Sequence, residues 1–418
     1  MEITSLVAIK AGLCGLTGPL AFLIVRDMNE LRRHVYADTV DYFAVKKLVQ
    51  KVFPRCKCKD ILRKQEALGR GAEVDDLEML NLLENSENDH SPHVSEMPQT
   101  VVQERVCYKH ERAIPIQDTV QALDIREEGI ETLLCYLELH PQKWLELLHP
   151  TFSSCRIVCY SGPQQLRKLA TSCPPVAVCL ARERLAGVDH THVSSVEFNV
   201  VELADSMGWE VVPVKRALRD LQWAQRTIGG FKGTGKSGVL VEFSKLSFHF
   251  RSYGDLADHE LEDLCDFLHH KVVSRESAAL HQLMACYKAF KRVAYRTSSS
   301  CAEKISAERS AELKDLLLKY FEKKDGIDDC DVDDQEDLSH CKAQDWKDQV
   351  RADVRLFLSI HQEERFNGRA ISRVFHGIGS PCYPAEIYGR DRRFWRKYIQ
   401  LDFNELMQLC KEEIIRFK

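Results

Sequence analysis

A chain of 418 residues with 44% hydrophobic side chains is long enough to bury more than one core, and by length it divides into two to four domains. Its 63 acidic and 58 basic residues leave a formal charge of −5, which excludes a uniformly basic nucleic-acid coat and puts the weight on local clusters. The 16 cysteines sit largely inside apolar runs such as Leu134-Cys135-Tyr136 and Val178-Cys179-Leu180, as buried free thiols of a reducing compartment do, rather than in a disulfide framework.

The apolar stretch at 11–25 is short for a membrane span of about 20 residues and is interrupted by three glycines and a proline. No basic cluster precedes it and no cleavage box stands out, so a buried strand, or a start displaced from some longer chain, fits better than a signal or an anchor. Residues 1–28 therefore form an N-terminal apolar segment with no assigned role, and no membrane partner is expected. From Asp27 to Phe53 the residues Leu31, Val35, Phe43, Val45, Leu48, Val49 and Phe53 recur at helical intervals, and Pro54 ends the run.

Immediately after comes Arg55-Cys56-Lys57-Cys58-Lys59, and further along Val106-Cys107-Tyr108-Lys109-His110. Three thiolates and an imidazole are a donor set for closed, tetrahedral structural Zn²⁺. The spacing is unlike that of ordinary fingers, with 48 residues between Cys58 and Cys107. Closing that loop costs roughly 3–4 kcal/mol, well below the roughly 10–16 kcal/mol that structural zinc supplies in finger peptides. The competing reading is a scatter of cytosolic thiols and a surface histidine. Residues 29–110 are thus a helix plus a zinc-binding region, and the polar stretch at about 60–104 reads as a disordered insertion.

Helices over Thr119 to Leu123 and Glu127 to His140, then short strands at Trp144 to Leu148 and Arg156 to Tyr160, predict a winged-helix-like module with a connecting helix at 111–192. Its second helix carries Glu127, Glu128, Glu131 and Glu138, so it suits protein contact better than phosphate. A second winged-helix module is expected at 193–252, with a helix stopped by Gly208, another over Val214 to Trp223, and wing strands at Val239 to Phe243 and Leu246 to Phe250. Here the sign reverses: Lys215, Arg216, Arg219, Arg226, Lys232 and Lys236 are candidates for DNA contact, against a merely solvated basic face.

The string Gly230-Phe-Lys-Gly-Thr-Gly235-Lys236-Ser237 matches a phosphate-loop pattern letter by letter. That motif needs a strand before it and a helix after it. Here a strand pattern follows, so ATP binding is rejected and the glycines read as a wing turn. A helical region is expected at 253–324. Between Asp325 and Asp337 eight acidic residues stand without a basic one, an acidic linker over 325–343. Residues 344–418 form a C-terminal basic helical module, with helices over Trp346 to Ile360 and Arg369 to His376. Its candidates for backbone contact are Arg369, Arg373, Arg390, Arg392, Arg393, Arg396 and Lys397, with Phe394 and Tyr398 mostly core. No catalytic constellation stands out. The fold class is mainly α with small β hairpins: a zinc-clamped helical region, tandem winged-helix modules and a separate C-terminal helical module.

These residues resemble the carboxyl-terminal part of RecQ-family DNA helicases of the kind associated with Rothmund–Thomson syndrome. The likeness covers about 29–418, through Glu30-Leu-Arg-Arg-His-Val, Val106-Cys-Tyr-Lys-His-Glu-Arg-Ala-Ile-Pro, Glu131-Thr-Leu-Leu-Cys-Tyr-Leu-Glu-Leu-His-Pro, Asp205-Ser-Met-Gly-Trp-Glu, Phe375-His-Gly-Ile-Gly-Ser-Pro-Cys-Tyr-Pro-Ala and Arg392-Arg-Phe-Trp-Arg-Lys-Tyr. The resemblance implies zinc ligands at Cys56, Cys58, Cys107 and His110. It also implies a nuclear protein of DNA replication, repair and recombination whose intact form moves 3′ to 5′ on DNA using ATP. No helicase motor is read ahead of residue 29, so ATP and Mg²⁺ belong to a motor-containing form, and this polypeptide alone is not expected to unwind DNA. The expected partners are single-stranded or forked DNA, bound without sequence preference, and replication and repair proteins. The alternative is a protein-interaction scaffold without DNA binding of its own.

Overall fold

A computed structural model of the protein describes residues 25–67, 105–228, 231–293, 307–322 and 343–417. The apolar stretch at 11–25 and the acidic linker lie almost wholly outside these residues. In chain order the described elements are α1 (Val25–Tyr36), α2 (Tyr42–Val52), α3 (Cys58–Ala67), β1 (His110–Pro115), α4 (Ile116–Leu123), α5 (Glu127–Glu138) and β2 (Leu145–Cys159). There follow α6 (Pro163–Ser172), α7 (Pro174–Leu185), β3 (Ser195–Asn199), α8 (Val200–Ser206), α9 (Val211–Asp220), β4 (Trp223–Ile228), β5 (Phe231–Lys236) and β6 (Val239–Ser252). The remainder is helical: α10 (Asp258–Val293), α11 (Ala307–Glu322), α12 (Ala343–Ile360), α13 (Gly368–His376), α14 (Ala385–Tyr388) and α15 (Phe403–Phe417). No helix among the described residues is long and apolar enough to cross a membrane. Residues 58–67, assigned in part to the insertion, are helical; the rest of that insertion lies outside the described residues.

The chain divides into a sheet unit, Phe43–Leu123 with Ile130–Leu268, and a helical unit, Met1–Tyr42 with Asp124–Gly129 and His269–Lys418. The sheet unit departs from the expectation of two separate modules. Its four strands run in the order β1-β6-β2-β3, with every pairing antiparallel. The strands expected as two hairpins are instead two long ones, β2 and β6, paired from Leu145↔Ser252 to Cys159↔Val239.

Both interruptions that suggested separate strands are local irregularities in this pairing. At Pro150, which lacks an amide hydrogen, the register shifts between Leu148 and Thr151. Further along the pair, between the Phe152↔Leu246 and Ser154↔Ser244 pairings, Lys245 has φ 59°, and its carbonyl accepts from Ser153 Oγ at 3.3 Å.

Period-two alternation on the strands and three-to-four spacing on the helices then build one core. Cys155, Ile157 and Cys159 of β2 with Val239 and Val241 of β6 face Leu166 of α6, Val176 and Cys179 of α7, Val200, Val201 and Ala204 of α8, and Val214 and Leu218 of α9. Asn199 caps α8 by accepting from the Val201 and Glu202 amides, and Gly208 at φ 65° turns the chain toward α9.

In the helical unit α15 packs on α12 and α13. All nine residues of α13 are buried. Asn367 caps its start and Gly377, at φ 73°, ends it; a Cβ there would lie 2.1 Å from Arg396 Cγ. The core around α13 comprises Val350, Val354, Phe357, Ile371, Phe375, Phe394 and Tyr398 among others. The segment carrying Phe394 and Tyr398 is a series of turns, anchored where the Arg396 and Tyr398 amides donate to the Val374 and Phe375 carbonyls.

Candidate metal centre and basic surfaces

The ligand atoms of Cys56, Cys58, Cys107 and His110 all lie within 4.8 Å of one another. That is a span one ion can bridge with Zn–S near 2.3 Å and Zn–N near 2.0 Å. Pro54 has stopped α2, and Cys58 opens α3, so the unpaired amides of a helix start stand beside a thiol that must ionise. The other pair straddles the entry to β1, whose register against β6 fixes His110 opposite Ser252.

The cradle is completed by residues that spacing did not reveal. Asp205 of α8 stands 2.8 Å from His110 Nδ1 and also accepts the Glu111 amide at 2.8 Å. This turns His110 Nε2 toward Cys58 Sγ, 3.2 Å away. A carboxylate behind a ligating imidazole fixes its tautomer and raises its basicity. Gly254 accepts from the Cys56 amide at 2.8 Å and donates to Cys107 Sγ at 3.4 Å. A Cβ at Gly254 would lie 2.6 Å from Cys56 Cβ and 2.7 Å from Arg112 Nη2, so close approach of the backbone demands glycine there. Buried Asp255 accepts the Cys107 amide and pairs with Arg105 at 3.3 Å.

Hydrogen bonding among the sulfurs sets their acidity. The bond with Cys107 holds the Cys56 thiol far below its ordinary value, and the same bond holds Cys107 above it. Burial pushes Cys58 up to about 11, and the bond to Asp205 raises His110 to about 9. Metal binding must therefore release protons from this cluster. The donor set, its span and its carboxylate-braced imidazole fit a structural zinc ion, as the donor chemistry in the sequence predicted. Of the cations that flank the ligands in sequence, Arg55 pairs with Asp258 at 2.8 Å, Lys59 donates to the Asp255 carbonyl at 3.0 Å, and Lys109 lies 5.4 Å from the Tyr253 ring centroid.

The basic residues singled out from sequence divide sharply. On α9, Arg216 and Arg219 are exposed, with Arg219 Cζ 5.2 Å from the Phe243 ring centroid. Lys215 turns back to the sheet and donates to Thr151 Oγ1 and the Phe152 carbonyl, each at 2.5 Å; burial lowers it to about 8. Lys236 is exposed, while the side chains of Arg226 and Lys232 lie outside the described set. The glycine-lysine string runs along β5, paired with β4 and followed by β6, so it opens no helix.

Arg369 and Arg373 are corrections to the surface reading. They are 1% and 4% exposed. Arg373 donates to the carbonyls of Ala37, Thr39 and Asp124 and pairs with Asp124 Oδ2 at 3.3 Å; Arg369 pairs with Asp41 at 3.5 Å. Their charge is neutralised inside the helical unit. Among the rest, Arg390 and Arg392 are exposed, Arg393 pairs with Asp391, Lys397 pairs with Asp353 at 2.5 Å, and Arg396 meets Glu30.

No family model matches the chain. The chain is homologous to curated helicases: 49% identical over 393 residues to ATP-dependent DNA helicase Q4 of Homo sapiens and 46% over 391 residues to that of Mus musculus, in each case across 93% of this chain. It is 25% identical over 322 residues, 76% of its length, to ATP-dependent DNA helicase Q-like 5 of Arabidopsis thaliana. The chain spans about a third of the length of these relatives, at 32%, 30% and 31%.

Proposed function

We propose that this chain is a DNA-binding accessory region of an ATP-dependent 3′–5′ RecQ-type helicase acting in replication and repair in the nucleus. It grips the backbone of single-stranded or forked DNA without reading sequence and positions it relative to the motor. Homology with helicases supports an accessory role of this kind, and one structural connection carries the reading furthest. The metal centre holds His110, His110 is braced by Asp205 of α8, and α8 leads through Gly208 into α9, whose Arg216 and Arg219 face solvent. Zinc would thereby fix the frame on which those charges stand. The candidate contacts are Arg216, Arg219, Lys236, Arg390 and Arg392, with Arg226 and Lys232 retained from the sequence.

Binding of a labelled fork by the isolated chain, measured across a salt series before and after zinc is chelated, tests the reading. Affinity should fall steeply with salt and fall again when zinc is withdrawn. A chain that ignores DNA at low salt would favour the alternative, a scaffold for replication and repair proteins. That second reading is favoured by the exposed Glu128 and Glu131 and by Leu139, 78% exposed near the end of α5.

A further inference from the structure

We propose that the Trp223 indole is a stacking platform for an unpaired base of single-stranded DNA, at the foot of the β4–β5 hairpin opposite Lys236. The proposal rests on the DNA-binding reading above and names the part of the DNA that this corner of the sheet unit engages.

Of the five tryptophans in the chain, Trp144 is buried and Trp209, Trp346 and Trp395 are half-buried; Trp223 is 59% exposed. Folding leaves this large ring in water, so core packing does not account for it. Nor does it sit on a loose tip. Trp223 pairs in register with Lys236, Ser237 closes the foot of the hairpin by donating to the Gln222 carbonyl at 3.0 Å, and Ser237 Oγ donates to the Leu221 carbonyl at 2.5 Å. Cross-strand partners share a face of the ribbon, so the Lys236 chain rises on the same side as the indole.

At the end of α9, Arg219 is exposed and held against the Phe243 ring, and Arg216 stands one turn before it. An exposed aromatic ring on a paired strand, with a cation opposite it and others on the preceding helix, is the combination with which single strands are held: charge tracks the phosphates and the ring takes a base. Bases inside a duplex already stack on their neighbours, so a ring beside this indole has to come from an unpaired strand. An acidic protein segment could use the same cations, but it offers no base to stack.

Fluorescence anisotropy of the full, zinc-loaded chain with three labelled probes tests the proposal: an oligo-dT strand, an abasic strand of the same length, and a duplex. Stacking of one base is worth about 1–3 kcal/mol, so oligo-dT should bind on the order of tenfold tighter than the abasic strand. Trp223→Ala should erase that difference while leaving abasic and duplex affinities unchanged, and Trp223→Phe should keep most of it. An unchanged Tm would confirm that both variants are folded, as expected at an exposed position. Salt-dependent binding in which the wild type does not distinguish oligo-dT from abasic DNA, or in which Trp223→Ala still does, would overturn stacking and leave the DNA-binding reading intact. Absence of binding to every probe at low salt would overturn both.

Discussion

Asp205 Oδ2 lies 2.8 Å from His110 Nδ1, which makes a residue of α8 the orienting partner of a ligand on β1. Asp205→Asn preserves shape and removes the charge. Zinc affinity should fall by about 10- to 100-fold, as read by competition with a chromophoric chelator. Affinity equal to the wild type would show that the carboxylate does not serve the metal.

Gly254→Ala tests the other side of the cradle. The added methyl carbon would lie 2.6 Å from Cys56 Cβ and 3.0 Å from the Cys56 amide nitrogen, so the ligand-bearing backbone has to shift. Zinc content after dialysis should fall, and stability should drop by about 1–3 kcal/mol, the usual cost of overpacking. Full occupancy and an unshifted denaturation midpoint would contradict the close approach.

The two classes of arginine should separate in denaturation experiments. Arg373→Ala removes the buried ion pair with Asp124 and the donor to the Ala37 and Thr39 carbonyls in the interior of the helical unit, and should cost about 3–5 kcal/mol. Lysine cannot reproduce the planar fork, so Arg373→Lys should rescue little. Arg393→Ala removes an exposed pair with Asp391 and should leave the midpoint where it was.

His376 makes the helical unit sensitive to acid. Buried between the rings of Tyr36 and Phe403, it is lowered to about 4 by burial, above all other causes. An unfolded histidine titrates near 6.5, so above that pH both states are neutral and stability is complete. As pH falls from about 6.5 to about 4 the unfolded chain takes up a proton that the folded one refuses, and roughly 3 kcal/mol is lost. His376→Phe should flatten that part of the stability profile; an unaltered slope would assign it to other groups.

The basic helix should declare itself through salt. Arg216→Ala with Arg219→Ala should weaken binding to every sequence alike and reduce the slope of log affinity against log salt by about 2. The buried Arg369 and Arg373 predict a different signature, loss of folding rather than a changed slope.

Local physics was legible from the residues. The periodicities of α5, α12 and α13, the Gly208 stop and the four metal ligands all follow from patterns within a few residues or from donor chemistry. What escaped depends on partners far away in the chain. Pro150 and the Ser244-Lys245 break look like strand ends until β2 and β6 are seen to run through them. Arg369 and Arg373 carry the signature of a basic surface, because nothing near them announces that Asp41 and Asp124 will neutralise them inside. Asp205 belongs to a string quoted for its resemblance, yet no spacing ties it to His110, and Gly254 joins the metal centre through its backbone alone.

The place of β6 in the sheet sets a timetable for the nascent chain. This strand is the sheet's last to be synthesised, yet it lies between β1 and β2 and pairs with both. The four metal ligands have all left the ribosome long before it, but the backbone of Gly254, which touches two of them, follows two residues behind its end. Until then the thiols have donors without their final cradle, and β2 lacks its long partner. Any product that stops before β6 would lose the centre of the sheet and the back of the metal site together.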